Sequence, residues 1–358
     1  MSSSRQIAVG GVLVGGGAPV AVQSMTCTRT SDAPATLLQI RTLVAAGCDL
    51  VRVTLPHADD GPAFAEIVGA SPVPIIADIH YDWRLALTAI SAGAAGVRIN
   101  PGTMAEKHVH DIVRAAAATE PPVAIRIGVN AGSLPRDLRD QAVDDPAQAL
   151  VEAALRWAAR LDAWEFPTYK LSVKSSSVPT TIAAYRLLAG RTDAPMHVGV
   201  TEAGTVWGGS IKSAVGIGAL LAEGIGDTIR VSLTGDPVQE VRVAWKILAA
   251  LDLRRRGPEV ISCPTCGRTE IDIVGLAEEV EARLSSAPEL ATQKITIAVM
   301  GCRVNGPEEA RHADYGIAAG AGEGVLFDHG RRVESLPAGQ LVDALLALIR
   351  ARDTASSS

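Results

Sequence analysis

The sequence predicts an α/β protein: a (β/α)8 barrel of the TIM type followed by a small α/β domain. Three observations predict it. Eight short β-branched runs are separated by helical patterns, the composition is apolar but poor in aromatics, and the character of the chain changes abruptly after residue 255.

The strand-like runs are "VAVQSM" from 20, "LVRVTL" from 50, "PIIADIH" from 74, "GVRIN" from 96, "VAIRIGVN" from 123, "YKLSVKS" from 169, "MHVGVTEAG" from 196 and "TIRVSL" from 228. Between them lie helical stretches such as "APATLLQIRTLVAAG", "WRLALTAISAG", "AQALVEAALRWAARL" and "SAVGIGALLAEG", several closing on Gly as helices do. Eight such pairs in about 230 residues match a closed barrel in count and size. A doubly wound open sheet is the alternative, but no Gly-x-Gly-x-x-Gly follows the first strand.

The run "RRRGPEV" then reads as a helix end and a linker, dividing a barrel over 1–255 from a second domain over 256–358. That domain offers "TEIDIVGLAEEVEARL" as a helix, "KITIAVMG" as a strand, "GIAAGAGEGVLF" as a Gly-rich turn region and "AGQLVDALLALIRARD" as a last helix.

Composition limits the function. Hydrophobic residues are 47% and aromatics 3% of the chain, so the core is built from Ala, Val, Ile and Leu. A formal charge of −6 argues against a nucleic-acid or anionic-membrane partner. With no apolar run of membrane-spanning length and no long apolar start, a cytoplasmic protein is expected. The five cysteines form an odd set without a disulfide framework. Cys48 reads as a small core residue, and Cys27 lies at the end of a strand-like run.

A barrel builds its active site at the C-terminal ends of its strands. The polar residues falling there are Gln23, Ser24, Arg52, Asp78, His80, Arg98, Asn100, Arg126, Asn130, Lys174, Glu202, Arg230 and Ser232. Four arginines and a lysine thus converge on one mouth of an acidic protein, which points to an anion. Arg meets phosphate oxygens bidentately, so a phosphate or diphosphate ester is the ligand expected. Asp78, His80 and Glu202 bring acid-base capacity, or Asp78 and Glu202 simply counter the arginines. Lys174 fits either another phosphate contact or a Schiff base.

In "ISCPTCGRTE" Cys263 and Cys266 stand two residues apart, and Cys302 follows in "GCRVNGPEEARHADYG". Spacing alone leaves two metal readings: a closed Cys3His zinc site using His312, or an iron-sulfur cluster with three thiolates and a carboxylate or open fourth corner.

The stretches "IADIHYDWRLAL", "VRINPG", "IRIGVNAGSL", "VTEAGT", "EGIGDTIRVSL", "ISCPTCGRTE" and "GCRVNGPEEARHADYG" together resemble the bacterial 4-hydroxy-3-methylbut-2-en-1-yl diphosphate synthase family, from Ala21 to Phe327. The resemblance implies a barrel joined to a domain carrying a 4Fe-4S cluster. Cys263, Cys266 and Cys302 match the family's cysteine ligands, and Glu309 its glutamate ligand. Arg52, Arg98, Arg126, Asn130, Lys174, Arg230 and Ser232 match positions around the substrate diphosphate, and His80 and Asn100 join them at the same mouth. The implied reaction converts 2-C-methyl-D-erythritol 2,4-cyclodiphosphate to 4-hydroxy-3-methylbut-2-en-1-yl diphosphate in the non-mevalonate isoprenoid pathway. It takes two electrons from reduced flavodoxin or ferredoxin and releases a hydroxyl as water. Glu202 is the candidate for the proton. A homodimer is implied, each cluster domain capping the partner's barrel.

The chain departs from the family pattern at Glu308, where Gly is usual, at Arg303, usually apolar, at Ala321, often Lys, and at Ser177, often acidic. Such changes would suit a diverged paralogue acting as an iron-sulfur sensor. A Schiff-base aldolase with a zinc domain is the further alternative.

Overall fold

Alternation along the strands decides which side chains enter the barrel and which face its helices. The computed structural model describes residues 3–130, 132, 134–287, 289–290, 293–302, 308 and 310–356, and separates into the units Met1–Arg254 and Arg255–Ser358. In the first unit a hairpin, β1 (Gln6–Val9) and β2 (Val12–Gly15), precedes the strands β3 (Ala21–Met25), β4 (Leu50–Thr54), β5 (Ile75–Asp78), β6 (Gly96–Ile99), β7 (Ala124–Asn130), β8 (Tyr169–Lys174), β9 (His197–Val198) and β10 (Thr228–Ile229). The last eight are parallel in the order β8-β7-β6-β5-β4-β3-β10-β9, and a bridge from Leu171 to Met196 joins the two ends. The sheet is therefore a closed barrel, as predicted.

Val51, Val53, Ala77, Ile79, Val97, Ile99, Ile125, Ile127, Leu171, Val173, Val198, Ile229 and Val231 pack outward into one core with the helices. The alternate positions point inward, and from the middle of the barrel upward they are polar or glycine. Four of the surrounding helices start at an Asp or Ser followed within two residues by Pro. The side chains of Asp32, Asp145, Ser177 and Asp236 accept from backbone N–H groups of Ala35, Gln148, Thr180 and Val238. Ser177, a departure from the family pattern, is thus a helix cap.

Sequence reading gave no role to the N-terminal hairpin. Its Gly10-Gly11 turn has φ +53° and +91°, the conformation a two-residue hairpin loop requires. Ile7, Val9 and Val14 pack on Ala21, Leu50, Ile76 and Ala124, early residues of four barrel strands, and close that end with apolar surface.

β9 and β10 are shorter than their predicted runs. Between β8 and β9 the ladder gives way to the buried Tyr185, whose hydroxyl accepts from Val173 N–H and donates to the His197 carbonyl.

The second unit has a five-stranded sheet, β11 (Glu259–Ser262), β12 (Thr296–Met300), β13 (Tyr315–Ala319), β14 (Glu323–Asp328) and β15 (Arg331–Pro337), in sequence order. The first three are parallel and the last two antiparallel additions. Helices Ile273–Ser286 and Leu341–Ser356 contribute Ile273, Val280, Leu284, Leu345 and Ile349 to a core with Ile297, Val299, Ile317 and Leu326. The stretch read as a Gly-rich turn region is mostly the hairpin β13–β14, turning only between Gly320 and Glu323. Its small residues are packing requirements: a Cβ on Gly316 would stand 3.0 Å from the Ala310 Cβ, and one on Gly324 2.6 Å from Leu341. Ala321, another departure, donates its N–H to Glu270 in that turn at 2.9 Å.

Candidate active site

The upper barrel interior is a cavity of about 200 Å³ lined by Arg52, Asp78, His80, Arg98, Arg126, Gly128, Val129, Asn130, Ser172, Lys174, Val200, Thr201, Arg230 and Ser232. Five of these are cations, brought together because each follows its strand's alternation to an inward position near the C-terminal end. Asp78, on β5, is the one carboxylate of the lining among the described residues. Its Oδ1 accepts from Arg98 Nη1 at 3.2 Å and its Oδ2 lies 3.5 Å from Arg52 Nε. Burial pushes the Asp78 carboxyl up, but Arg52, the His80 hydrogen bond, Arg98 and Arg126 outweigh it and hold it well below the usual carboxylate range. Arg98 Nη1 also lies 2.7 Å from His80 Nε2.

The arginines keep donors in reserve. Arg52 spends Nε and Nη2 on the Met25 thioether, at 3.2 and 2.8 Å, a weak acceptor. Among the described residues Arg98 Nε, Arg126 Nε and Nη1, and Arg230 Nε are buried and have no hydrogen-bond partner. Burial first, then Arg52 and Arg98, bear on the Arg126 cation and lower its pKa. A guanidinium does not shed its proton in this range, so the cost persists until an anion arrives. The Lys174 amine is held well below its ordinary value by burial and then by Arg126, Arg230, Arg52 and Arg98. Such a set of unspent donors fits an oxygen-rich anion.

Two inward positions are glycines, and this makes room. A Cβ on Gly128 would stand 3.1 Å from Arg98 Nε, and one on Gly199 2.7 Å from Lys174 Nζ. Buried Glu240, on helix Pro237–Ala250, accepts from Arg230 Nη2 at 3.0 Å, while Arg230 Nη1 donates to Ser232 at 2.6 Å.

The structure therefore gathers Arg52, His80, Arg98, Arg126, Asn130, Lys174, Arg230 and Ser232 around one space. Asn100 and Glu202 lie outside that lining. Asn100 is buried, its Oδ1 accepting from Gly102 N–H at 3.2 Å to turn the chain after β6. Glu202 is exposed, with φ +51°, next to Thr201 of the lining. Gln23 is buried inside the barrel below the mouth, and Ser24 points the other way, to Glu240. Sequence reasoning missed Glu240, Ser172, Thr201, Gly128 and Gly199. Glu240 had a signal: a charge within the stripe of Pro237, Val241, Ala244 and Leu248 that the helix buries.

In the second unit Cys263 directly follows β11 and Cys302 comes two residues after β12, at the same end of paired parallel strands. Cys263 N–H donates to the Val299 carbonyl at 3.3 Å, and Gly301 N–H points at Cys263 Sγ at 3.2 Å. Cys266 is exposed on the turn that follows, its N–H donating to Thr269 Oγ1 at 3.1 Å. None of the three thiols is in a disulfide, and a backbone N–H aimed at sulfur, as at Cys263, is the environment a cluster thiolate uses. Among the described residues no three His, Cys, Asp or Glu side chains stand close enough to hold a metal ion, and His312 is exposed. Glu309 and Arg303 lie outside the described residues. Glu308 is exposed and pairs with Arg311 at 3.3 Å. No helix among the described residues is long and apolar enough to cross a membrane.

A cationic barrel mouth in a chain whose second domain carries cysteines after the ends of two paired parallel strands defines a class: a two-domain α/β enzyme acting on a phosphorylated small molecule. The chain belongs to the GcpE family, matching the GcpE TIM-barrel domain over residues 4–245 and the GcpE protein C-terminal domain over 259–351. It is 53% identical over 347 residues, 97% of each chain, to the 4-hydroxy-3-methylbut-2-en-1-yl diphosphate synthase (flavodoxin) of Geobacter sulfurreducens. The Aquifex aeolicus protein of the same name is 49% identical over 348 residues, 97% of this chain and 96% of its own. That of Acidothermus cellulolyticus is 52% identical over 345 residues, 96% and 87% of the two chains.

Proposed function

We infer that this chain is a 4-hydroxy-3-methylbut-2-en-1-yl diphosphate synthase, an oxidoreductase that reductively opens 2-C-methyl-D-erythritol 2,4-cyclodiphosphate. The observation carrying this reading for the barrel is the set of buried guanidinium donors on Arg98, Arg126 and Arg230 that have no partner among the described residues. Arg52, Arg98, Arg126, Lys174 and Arg230 hold the diphosphate, and Asn130 and Ser232 add polar contacts. Positioned before reaction, these cations stabilise the charge that grows on the diphosphate as its ring bond breaks. Asp78 keeps Arg52 and Arg98 aligned. Glu202, exposed at the rim, delivers a proton to the departing hydroxyl from a residue that binds no phosphate.

Cys263, Cys266 and Cys302 would hold a 4Fe-4S cluster, with Glu309 as the fourth ligand carried over from the family pattern. When bound, that group supplies the two electrons, drawn from a flavodoxin-like donor. Gly301 N–H at Cys263 supports the assignment to thiolate ligation. The enzyme works as a homodimer, and sedimentation of a fully active monomer would refute that part.

Anaerobic reconstitution with iron and sulfide, followed by a product assay with a chemical reductant, tests cofactor and reaction together. Conversion of the cyclic diphosphate to the linear product is expected. Iron incorporation without conversion would leave only a cluster-bearing metabolite sensor, and absence of iron would overturn the cofactor assignment.

A further inference from the structure

Arg230 enters the cavity as one arm of a buried bracket. Glu240, 3% exposed, accepts at Oε1 from both Arg230 Nη2 and Leu233 N–H, each at 3.0 Å, and at Oε2 from Ser24 Oγ at 2.9 Å. One carboxylate thus joins β3, the segment after β10 and the helix that carries it. Among the described residues, Arg230 is its hydrogen-bond partner in the cavity lining. Helix packing alone does not call for a charge here, because its neighbours in the buried stripe, Val241, Ala244 and Leu248, are apolar. A buried carboxylate is costly unless its oxygens are satisfied, and these are satisfied by a cation that a neighbouring site needs held still. With Nη2 taken by Glu240 and Nη1 by Ser232, Arg230 retains Nε as its buried unpartnered donor.

We propose that Glu240 is a positioning residue of the diphosphate site, acting through Arg230: it fixes the angle at which the guanidinium meets the ligand and anchors the segment bearing Ser232 through Leu233 N–H. The inference rests on reading Arg230 as a diphosphate contact. Freed from Glu240, the guanidinium would turn toward Asp78 or solvent, and ligand binding would have to reorder it.

The test is a double-mutant cycle read by calorimetric binding of the cyclic diphosphate to the full-length, cluster-free protein, alongside KM and kcat of the reconstituted enzyme. Glu240→Ala is expected to weaken binding about tenfold or more and to raise KM more than it lowers kcat. Glu240→Gln, which keeps the acceptor oxygen but not its charge, recovers most of the loss, leaving about threefold. In an Arg230→Ala background either change costs less than about twofold, since the residue it acts through is gone. A merely structural Glu240 would lose as much in that background as in wild type, and this result overturns the proposal. If Glu240→Ala does not fold, Glu240→Gln is read alone, and wild-type affinity in it overturns the proposal equally. Should Arg230→Ala itself bind normally, the reading of the cavity fails and this inference with it. If Arg230→Ala weakens binding while the Glu240 variants do not, only the positioning role fails.

Discussion

The amine of Lys174 occupies the space over Gly199. A Cβ on Gly199 would stand 2.7 Å from Lys174 Nζ and 2.4 Å from the Arg230 carbonyl oxygen, distances no real methyl group tolerates. Gly199→Ala is therefore expected to displace the lysine and press on β10 together. Affinity for the cyclic diphosphate should fall by about a hundredfold, as when a reacting group is misplaced by an ångström. Thermal stability should fall with it. Lys174→Met should weaken binding without lowering the melting temperature, because it removes a cation already crowded by arginines. Calorimetric titration and melting curves separate the two outcomes.

Asp78 is the counterion that lets Arg52 and Arg98 share a cavity. Its carboxyl is held below the ordinary range, so at acid pH the group binds fewer protons on average in the folded than in the unfolded chain. The stabilisation is complete above the unfolded value of about 4 and is lost as pH falls through the folded one. Asp78→Asn should cost roughly 3–5 kcal/mol at pH 7, the usual result of stripping a buried cation of its partner. The gap to wild type should narrow as pH falls below about 4. Urea unfolding at neutral and acid pH measures it.

Lys170 sits lower in the barrel, level with Arg126, 2% exposed and with no hydrogen-bond partner for Nζ among the described residues. Burial, then Arg126, lowers its pKa to about 7, with Asp227 pulling the other way. Between that value and the ordinary one the unfolded chain binds the extra proton, so stability contributed here rises with pH and is at its poorest at pH 7 and below. Lys170→Met should accordingly melt higher than wild type at pH 7, and the advantage should shrink toward pH 10. An advantage that stays constant across that range would show the folded amine to keep its proton just as the unfolded one does, overturning the lowered pKa.

The thiol set can be separated from the barrel. Cys263→Ser, Cys266→Ser and Cys302→Ser should each lose most of the iron after anaerobic reconstitution, while pyrophosphate binding persists, because the barrel has its own hydrophobic core. Cys27→Ser, changed at the end of β3, should keep its iron. Iron analysis beside a binding titration checks both.

Barrel and cationic mouth were legible in the sequence because alternation carries both messages at once. In "LVRVTL", "GVRIN" and "VAIRIGVN" the apolar residues face helices, so the arginines between them have only the interior to enter. Asn100 and Glu202 passed the same filter and fell outside the lining, since each lies beyond the last paired residue of its strand, where the chain turns and parity no longer fixes direction. The second domain was less legible. Strands as rich in small residues as "GIAAGAGEGVLF" show little β-branched periodicity, and their Gly and Ala positions answer to neighbours far along the chain.

By itself the sequence determined the barrel, the order of its strands, the cations they carry and the cysteines of the second domain, because periodicity and spacing are local properties. Tertiary structure alone decided that Gly199 makes room for Lys174, that Tyr185 bridges β8 and β9, and that Glu240 holds Arg230. Each of these depends on how closely two distant segments approach, and that distance is set by barrel closure rather than by any pattern along one strand.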